Sequence, residues 1–159
     1  MDQKNSAGQA RLEAHVERTL EENNIAQKDS INGMMKSRKA GCSYEDRTIT
    51  FGFPVQSWQV NRVGKLHGGI IAVAFDMTIA ALARFYAGEN FAPTISLDIK
   101  YVRPVEVGDT LLVTAKAVAA GKRITQLTCE AVSSKTGKTA ATGASVYMNV
   151  DTEKEREKQ

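Results

Sequence analysis

The sequence predicts an α+β domain in which a curved antiparallel sheet wraps one long central helix. Three observations predict it. Residues 70–86 are dominated by Ala, Ile, Leu and Met, with no Pro or Gly among them. A run apolar almost all the way round is a helix of about four turns, buried on most of its sides. After it only strand signals occur, in four stretches separated by short polar turns. Strands segregated from helices favour α+β over a doubly wound parallel sheet. A sheet curling about the helix accounts for its apolar faces.

Taken in order, residues 1–9 are polar and are expected to lack regular structure. Over residues 10–23, Leu12, Val16 and Leu20 recur every four residues among charged side chains, the mark of a surface helix with one narrow apolar stripe. A second, short helix is expected around residues 30–38, and Ala40-Gly41-Cys42-Ser43 reads as a turn. Residues 48–55 are rich in Thr, Ile, Phe and Val and predict a strand. A glycine-bearing loop over 61–69 feeds the long helix, which Gly88 is placed to cap. Residues 94–102 alternate, with Ile95, Leu97, Ile99 and Tyr101 on one face and Thr94, Ser96, Asp98 and Lys100 on the other, until Arg103-Pro104 stops the pairing. Strands over 110–119, 123–133 and 139–150 follow. This divides the chain into a helical extension over 1–40, a main domain over 41–150 and a charged tail over 151–159.

Bulk properties narrow the function. The 159 residues suit one domain, with 42% hydrophobic and 25% charged residues. A net charge of +3 is too mild for a nucleic-acid binder but suits a small anionic ligand. Cys42 and Cys129 have no metal-ligand spacing and are expected to be free thiols. The first residues carry neither a secretory signal nor an acid-poor transit peptide, so the cytoplasm is the expected location. The apolar stretch 70–83, broken by Asp76 and Thr78, is expected to be too short to span a bilayer, and no membrane insertion is expected.

Asp76 is the only charged side chain between Gly68 and Ala83. An unpaired buried carboxylate is costly, so it needs a partner or a use. No base lies one turn away, since positions 72, 73, 79 and 80 are Ala, Val, Ile and Ala. The plainer alternative is an acid that bonds a strand end or fixes an interface. The loop before the helix argues for chemistry. A helix N-terminus presents N–H groups without intrahelical partners, where an oxyanion can rest. Gly68 and Gly69 stand there, with His67 and Asn61 beside them. Asp76 lies eight residues after Gly68, about 12 Å along a helix. A base and an oxyanion donor must both reach one carbonyl, which two antiparallel helices from two chains accomplish and one helix does not.

The string Asn61-Arg62-Val63-Gly64-Lys65-Leu66-His67-Gly68-Gly69, continued to Phe75-Asp76, resembles the signature of hotdog-fold thioesterases of the phenylacetyl-CoA (PaaI-like) group. Thr94 to Pro104, Val107-Gly108-Asp109, Gly121-Lys122-Arg123 and Thr136-Gly137-Lys138 extend the resemblance over about residues 45–150. It implies acyl-CoA hydrolysis with Asp76 as general base or nucleophile and the Gly68 amide as oxyanion donor. Asn61 would position the carbonyl or the water, His67 would buttress the loop, and Thr94 would assist the water. Tyr101, Arg103, Gly121, Lys122 and Arg123 would line the coenzyme A channel, where cations suit phosphates. No metal or cofactor is expected beyond coenzyme A as part of the substrate. A homodimer is expected, and a homotetramer built from it. Two rivals remain: a hotdog enoyl-CoA hydratase or dehydratase, and a non-catalytic acyl-CoA-binding module. Phe75, Ile79 and Phe85 are expected chiefly to pack the core.

Overall fold

A computed structural model describes residues 3–151. Three helices, α1 (Gln3–Glu21), α2 (Ile31–Met34) and α3 (Gly68–Ala87), accompany six strands: β1 (Arg38–Ser43), β2 (Thr48–Pro54), β3 (Thr94–Tyr101), β4 (Thr110–Ala120), β5 (Ile124–Ser133) and β6 (Thr139–Met148). The strands make one antiparallel sheet in the order β1-β2-β4-β5-β6-β3. α3 packs against β2, β3, β4, β5 and β6. This is the α+β hotdog arrangement, a sheet around a central helix.

Periodicity explains the packing. β5 alternates strictly, with Thr125, Leu127, Cys129 and Ala131 buried and Ile124, Gln126, Thr128 and Glu130 exposed. Only one face of β5 therefore meets α3. From α3, Phe75, Ile79 and Leu82 are fully buried among Phe51, Leu111, Val113 and Leu127, and Phe85 is buried beside them. Phe75 also sets a requirement on β6. A Cβ at Gly143 would come within 2.6 Å of the Asp98 carbonyl oxygen and 3.0 Å of the Phe75 ring, so only glycine fits where β6 passes beneath the helix. Gly88, at φ 68, donates its N–H to the Arg84 carbonyl and closes α3 as expected.

Several expectations need correction. The first helix begins at Gln3, so most of the stretch expected to lack structure is helical. Leu12 and Val16 bury completely and join the main core. The segment read as a turn at 40–43 lies in β1, with a bulge between Lys39 and Gly41. The short helix is confined to Ile31–Met34, after a π-type turn over Glu22–Ala26. β3 is an edge strand bonded only to β6, and a bulge between Thr94 and Ser96 shifts its register. Leu97 and Ile99 are half-buried as a result, while Ile95 and Tyr101 stay exposed. α3 is also longer than the stretch 70–83 suggested: by length and composition its 20 residues suffice to cross a bilayer. Here it is the helix the sheet wraps. The charged tail falls outside the described residues apart from Asp151.

Candidate active site

The loop before α3 is held by its own polar groups. Asn61 Oδ1 accepts the N–H groups of Val63 (3.0 Å) and Lys65 (3.1 Å), and the Asn61 N–H donates to the Lys65 carbonyl at 2.7 Å. This Asx turn is the local reason asparagine suits the position. His67 is the N-cap of α3, its Nδ1 accepting the Gly69 N–H at 2.9 Å. The two glycines thus differ. The N–H of Gly69 is occupied by His67, whereas that of Gly68 has no partner among the described residues. The Tyr101 hydroxyl donates to the Gly68 carbonyl at 3.0 Å, and a Cβ on Gly68 would press on the Tyr101 ring at 3.3 Å. Glycine therefore lets the ring close over the helix start and leaves one amide open.

Asp76 lies on a stripe of α3 that the chain's own sheet does not cover. Gly69 and Asp76 are exposed, and Ala72, Val73 and Ala80 are half-buried. The acid is therefore not buried in the single chain, contrary to the sequence-based expectation. Nor is it without partners. Thr94 Oγ1 donates to Asp76 Oδ1 at 3.2 Å, and the Tyr147 hydroxyl donates to the same oxygen at 2.9 Å. Oδ2 accepts no hydrogen bond among the described residues. Tyr147 is 1% exposed, and burial first of all, with the negative charge of Asp76, pushes its phenol pKa well above the usual tyrosine range. It remains a neutral donor at any working pH. No linear motif marks Tyr147. The pairing register sets it opposite Thr94, and that register is a tertiary fact.

The expected residues fall into three groups. Asn61, Gly68, Tyr101 and Arg103 share a cavity of about 360 Å³ at the start of α3. Arg103 Nη1 there donates to the Thr139 carbonyl at 3.1 Å. Asp76, Thr94 and Tyr147 border a second cavity of about 290 Å³. Gly121, Lys122 and Arg123, on the β4–β5 turn, border a third of about 660 Å³, with the turn tied by Asn149 Nδ2 donating to the Gly121 carbonyl at 2.7 Å. Within one chain, then, the open Gly68 amide and Asp76 do not meet. Among the described residues no three His, Cys, Asp or Glu side chains converge as metal ligands would.

The family model described as Thioesterase superfamily matches residues 63–140, a span that holds the helix start, Asp76, Thr94 and the basic turn. That span is just under half of the chain. The chain is 32% identical over 91 residues to mouse acyl-coenzyme A thioesterase 13, a match covering 56% of this chain and 64% of that protein. The match thus spans just under two thirds of the mouse relative's length. Two solved structures share the hotdog fold of this chain. The Escherichia coli PaaI protein from the phenylacetic acid degradation operon aligns at a TM-score of 0.76 and 19% identity, covering 91% of this chain and 96% of its own. Zebrafish thioesterase superfamily member 2 aligns at 0.74 and 19% identity, covering 84% and 95%.

Proposed function

We propose that the protein hydrolyses acyl-coenzyme A thioesters to a carboxylic acid and free coenzyme A, at sites shared by two copies of the chain. The observation that carries this reading is the Asp76 carboxylate. One of its oxygens is held by two hydroxyls and the other is open, on an uncovered stripe of α3. The open Oδ2 takes a proton from water, and the hydroxide attacks the thioester carbonyl. The free Gly68 N–H of the second copy holds the oxyanion, assisted by the helix dipole. Collapse of the tetrahedral intermediate expels the coenzyme A thiolate, which is then protonated. Asn61 steadies the loop, and His67, by occupying the neighbouring amide, directs the oxyanion to Gly68. Lys122, Arg123 and Arg103 offer charge to the phosphates of coenzyme A.

Three further points support the two-chain site. Gly68 and Asp76 are about 12 Å apart along one helix. β3 is an unprotected edge strand with Ile95 and Tyr101 exposed, a surface suited to antiparallel pairing with a second β3. An antiparallel pair of α3 helices brings each Asp76 towards the other chain's loop. The acyl-CoA substrate is supported by the mouse relative's name. The cytoplasmic location proposed here rests on the free thiols of Cys42 and Cys129.

Release of free thiol from a panel of acyl-CoA esters tests the activity. Subunit exchange tests the architecture. Asp76→Ala and Asn61→Ala chains are each expected to be inactive, but mixed heterodimers contain one intact site. Equal mixing should restore about a quarter of wild-type turnover. No recovery, with exchange verified by mass spectrometry, would place both groups in one chain and reject the shared site. Sedimentation of the same samples separates dimer from homotetramer.

A further inference from the structure

The cavity beside Asp76 has a second polar end that the hydrolytic step does not use. Arg84 lies eight residues beyond Asp76 on α3 and borders the same cavity. It forms no ion pair among the described residues, and its Nε is buried without a hydrogen-bond partner. No ion pair joins it to Asp76, which stands just over two turns earlier on the helix. Asn23, from the turn after α1, borders the cavity as well. It is 4% exposed, and its side chain makes no hydrogen bond within the described residues. A guanidinium nitrogen as buried as Arg84 Nε is normally satisfied. A guanidinium and a carboxamide, both without partners, face one cavity whose intervening wall carries Met77, Ala80 and Phe91.

We propose that this cavity takes the acyl group, and that Arg84 and Asn23 select acyl chains ending in a carboxylate. The inference rests on the thioesterase reading above. The chemistry of the donors sets the ligand class. A guanidinium forks onto two carboxylate oxygens, and an amide N–H₂ adds a third bond. The apolar wall between the polar ends suits methylene groups. Geometry sets the length. Arg84 stands just over two helical turns beyond Asp76 and its side chain leans back toward the N-terminus, as helical side chains do, which suits a short ω-carboxyacyl chain. The helical extension thereby contributes a specificity residue, Asn23.

Glutaryl-CoA and pentanoyl-CoA, equal in chain length, provide the test on the full-length chain. The wild type is expected to favour glutaryl-CoA in kcat/KM by about tenfold or more. Arg84→Gln should bring that ratio to about one, Arg84→Lys should keep part of it, and Asn23→Ala should lower it by a few-fold. A wild-type ratio at or below one overturns the inference. So does a ratio that Arg84→Gln leaves unchanged because both esters weaken together, which would assign Arg84 to the coenzyme A portion they share. Should Arg84→Gln fail to fold, the wild-type ratio and Asn23→Ala decide. Absence of thiol release from every ester would instead reject the thioesterase reading. Calorimetric binding of the two esters would then still decide the cavity: tighter glutaryl-CoA supports the carboxylate site and equal binding rejects it.

Discussion

Asp109 and Asp76 are both aspartates bonded by hydroxyl donors, yet one is closed in and the other is open on one side. Asp109 is buried. Its carboxylate accepts the Ser133 hydroxyl at 2.5 Å, the Thr110 N–H at 2.6 Å, the Ser134 hydroxyl at 3.0 Å and the Lys135 N–H at 3.2 Å. Burial alone would raise its pKa. The four donors outweigh that and hold it below the ordinary carboxylate range. It fastens the start of β4 to the β5–β6 turn. Asp76 has two donors, both on one oxygen. A carboxylate with both oxygens engaged and buried is structural, and one with an oxygen free towards solvent is available for chemistry. The contrast supports the proposal that Asp76 is the reactive acid, without reference to any motif.

Replacing each acid should break the comparison in opposite ways. Asp76→Asn or Asp76→Ala should lower turnover by about 10²–10⁴ while thermal unfolding changes little; near-normal turnover in the folded variant would reject the assignment. Asp109→Ala should leave the chemistry in place but destabilise the fold by about 2–4 kcal/mol, read by urea denaturation. Because its folded pKa is depressed, the stability Asp109 contributes is present above about pH 4 and is lost as pH falls through the folded value. The Asp109→Asn variant should therefore lose the steep acid limb of the wild-type curve; an unaltered limb would contradict this. Tyr147→Phe should reduce turnover about tenfold with the fold intact, since Thr94 still holds Oδ1; unaltered kcat would show the second hydroxyl to be dispensable.

The smallest effect concerns His15, whose Nε2 meets the Ala81 carbonyl at 2.8 Å and whose ring sits edge-on to Phe85. Burial lowers its pKa, its bond to Ala81 opposes this, and the charges of Arg84 and Arg18 lower it further, with a net downward shift. The folded chain prefers neutral His15. Its contribution is present above about pH 6.5 and declines as pH falls towards the folded value. His15→Gln keeps a donor without the titration and should flatten the Tm-against-pH curve between pH 7 and 5 by about 2 °C. Identical slopes would exclude His15.

What could be read from the sequence divides along physical lines. Local period and composition revealed α3, five of the six strands and the cap at Gly88. They missed β1, because Arg38–Ser43 is short, half-exposed, bulged and contains Gly41. They also misplaced Asp76, since burial of a helix face depends on which strands cover it, and β3 is an edge. Asn61, His67, Gly68 and Asp76 could be singled out as candidates because a loop and the helix it feeds are contiguous in the chain. Tyr147, Arg84 and Asn23 were not, since cross-strand register and a docked extension bring them to the cavity, and neither leaves a trace in a linear pattern.

The central helix also fixes an order of events during synthesis. α3 is complete at Ala87, while β3, β4, β5 and β6, which cover most of it, end only at Met148. At about 5–20 residues per second, the ribosome leaves this segment without its cover for roughly 3–12 s. For that interval a nascent chain displays a stretch with the length and composition of a bilayer-spanning helix. Yield in the cell should therefore depend on translation speed downstream of Ala87, and on whatever shields apolar nascent segments, more steeply than the stability of the finished fold would suggest.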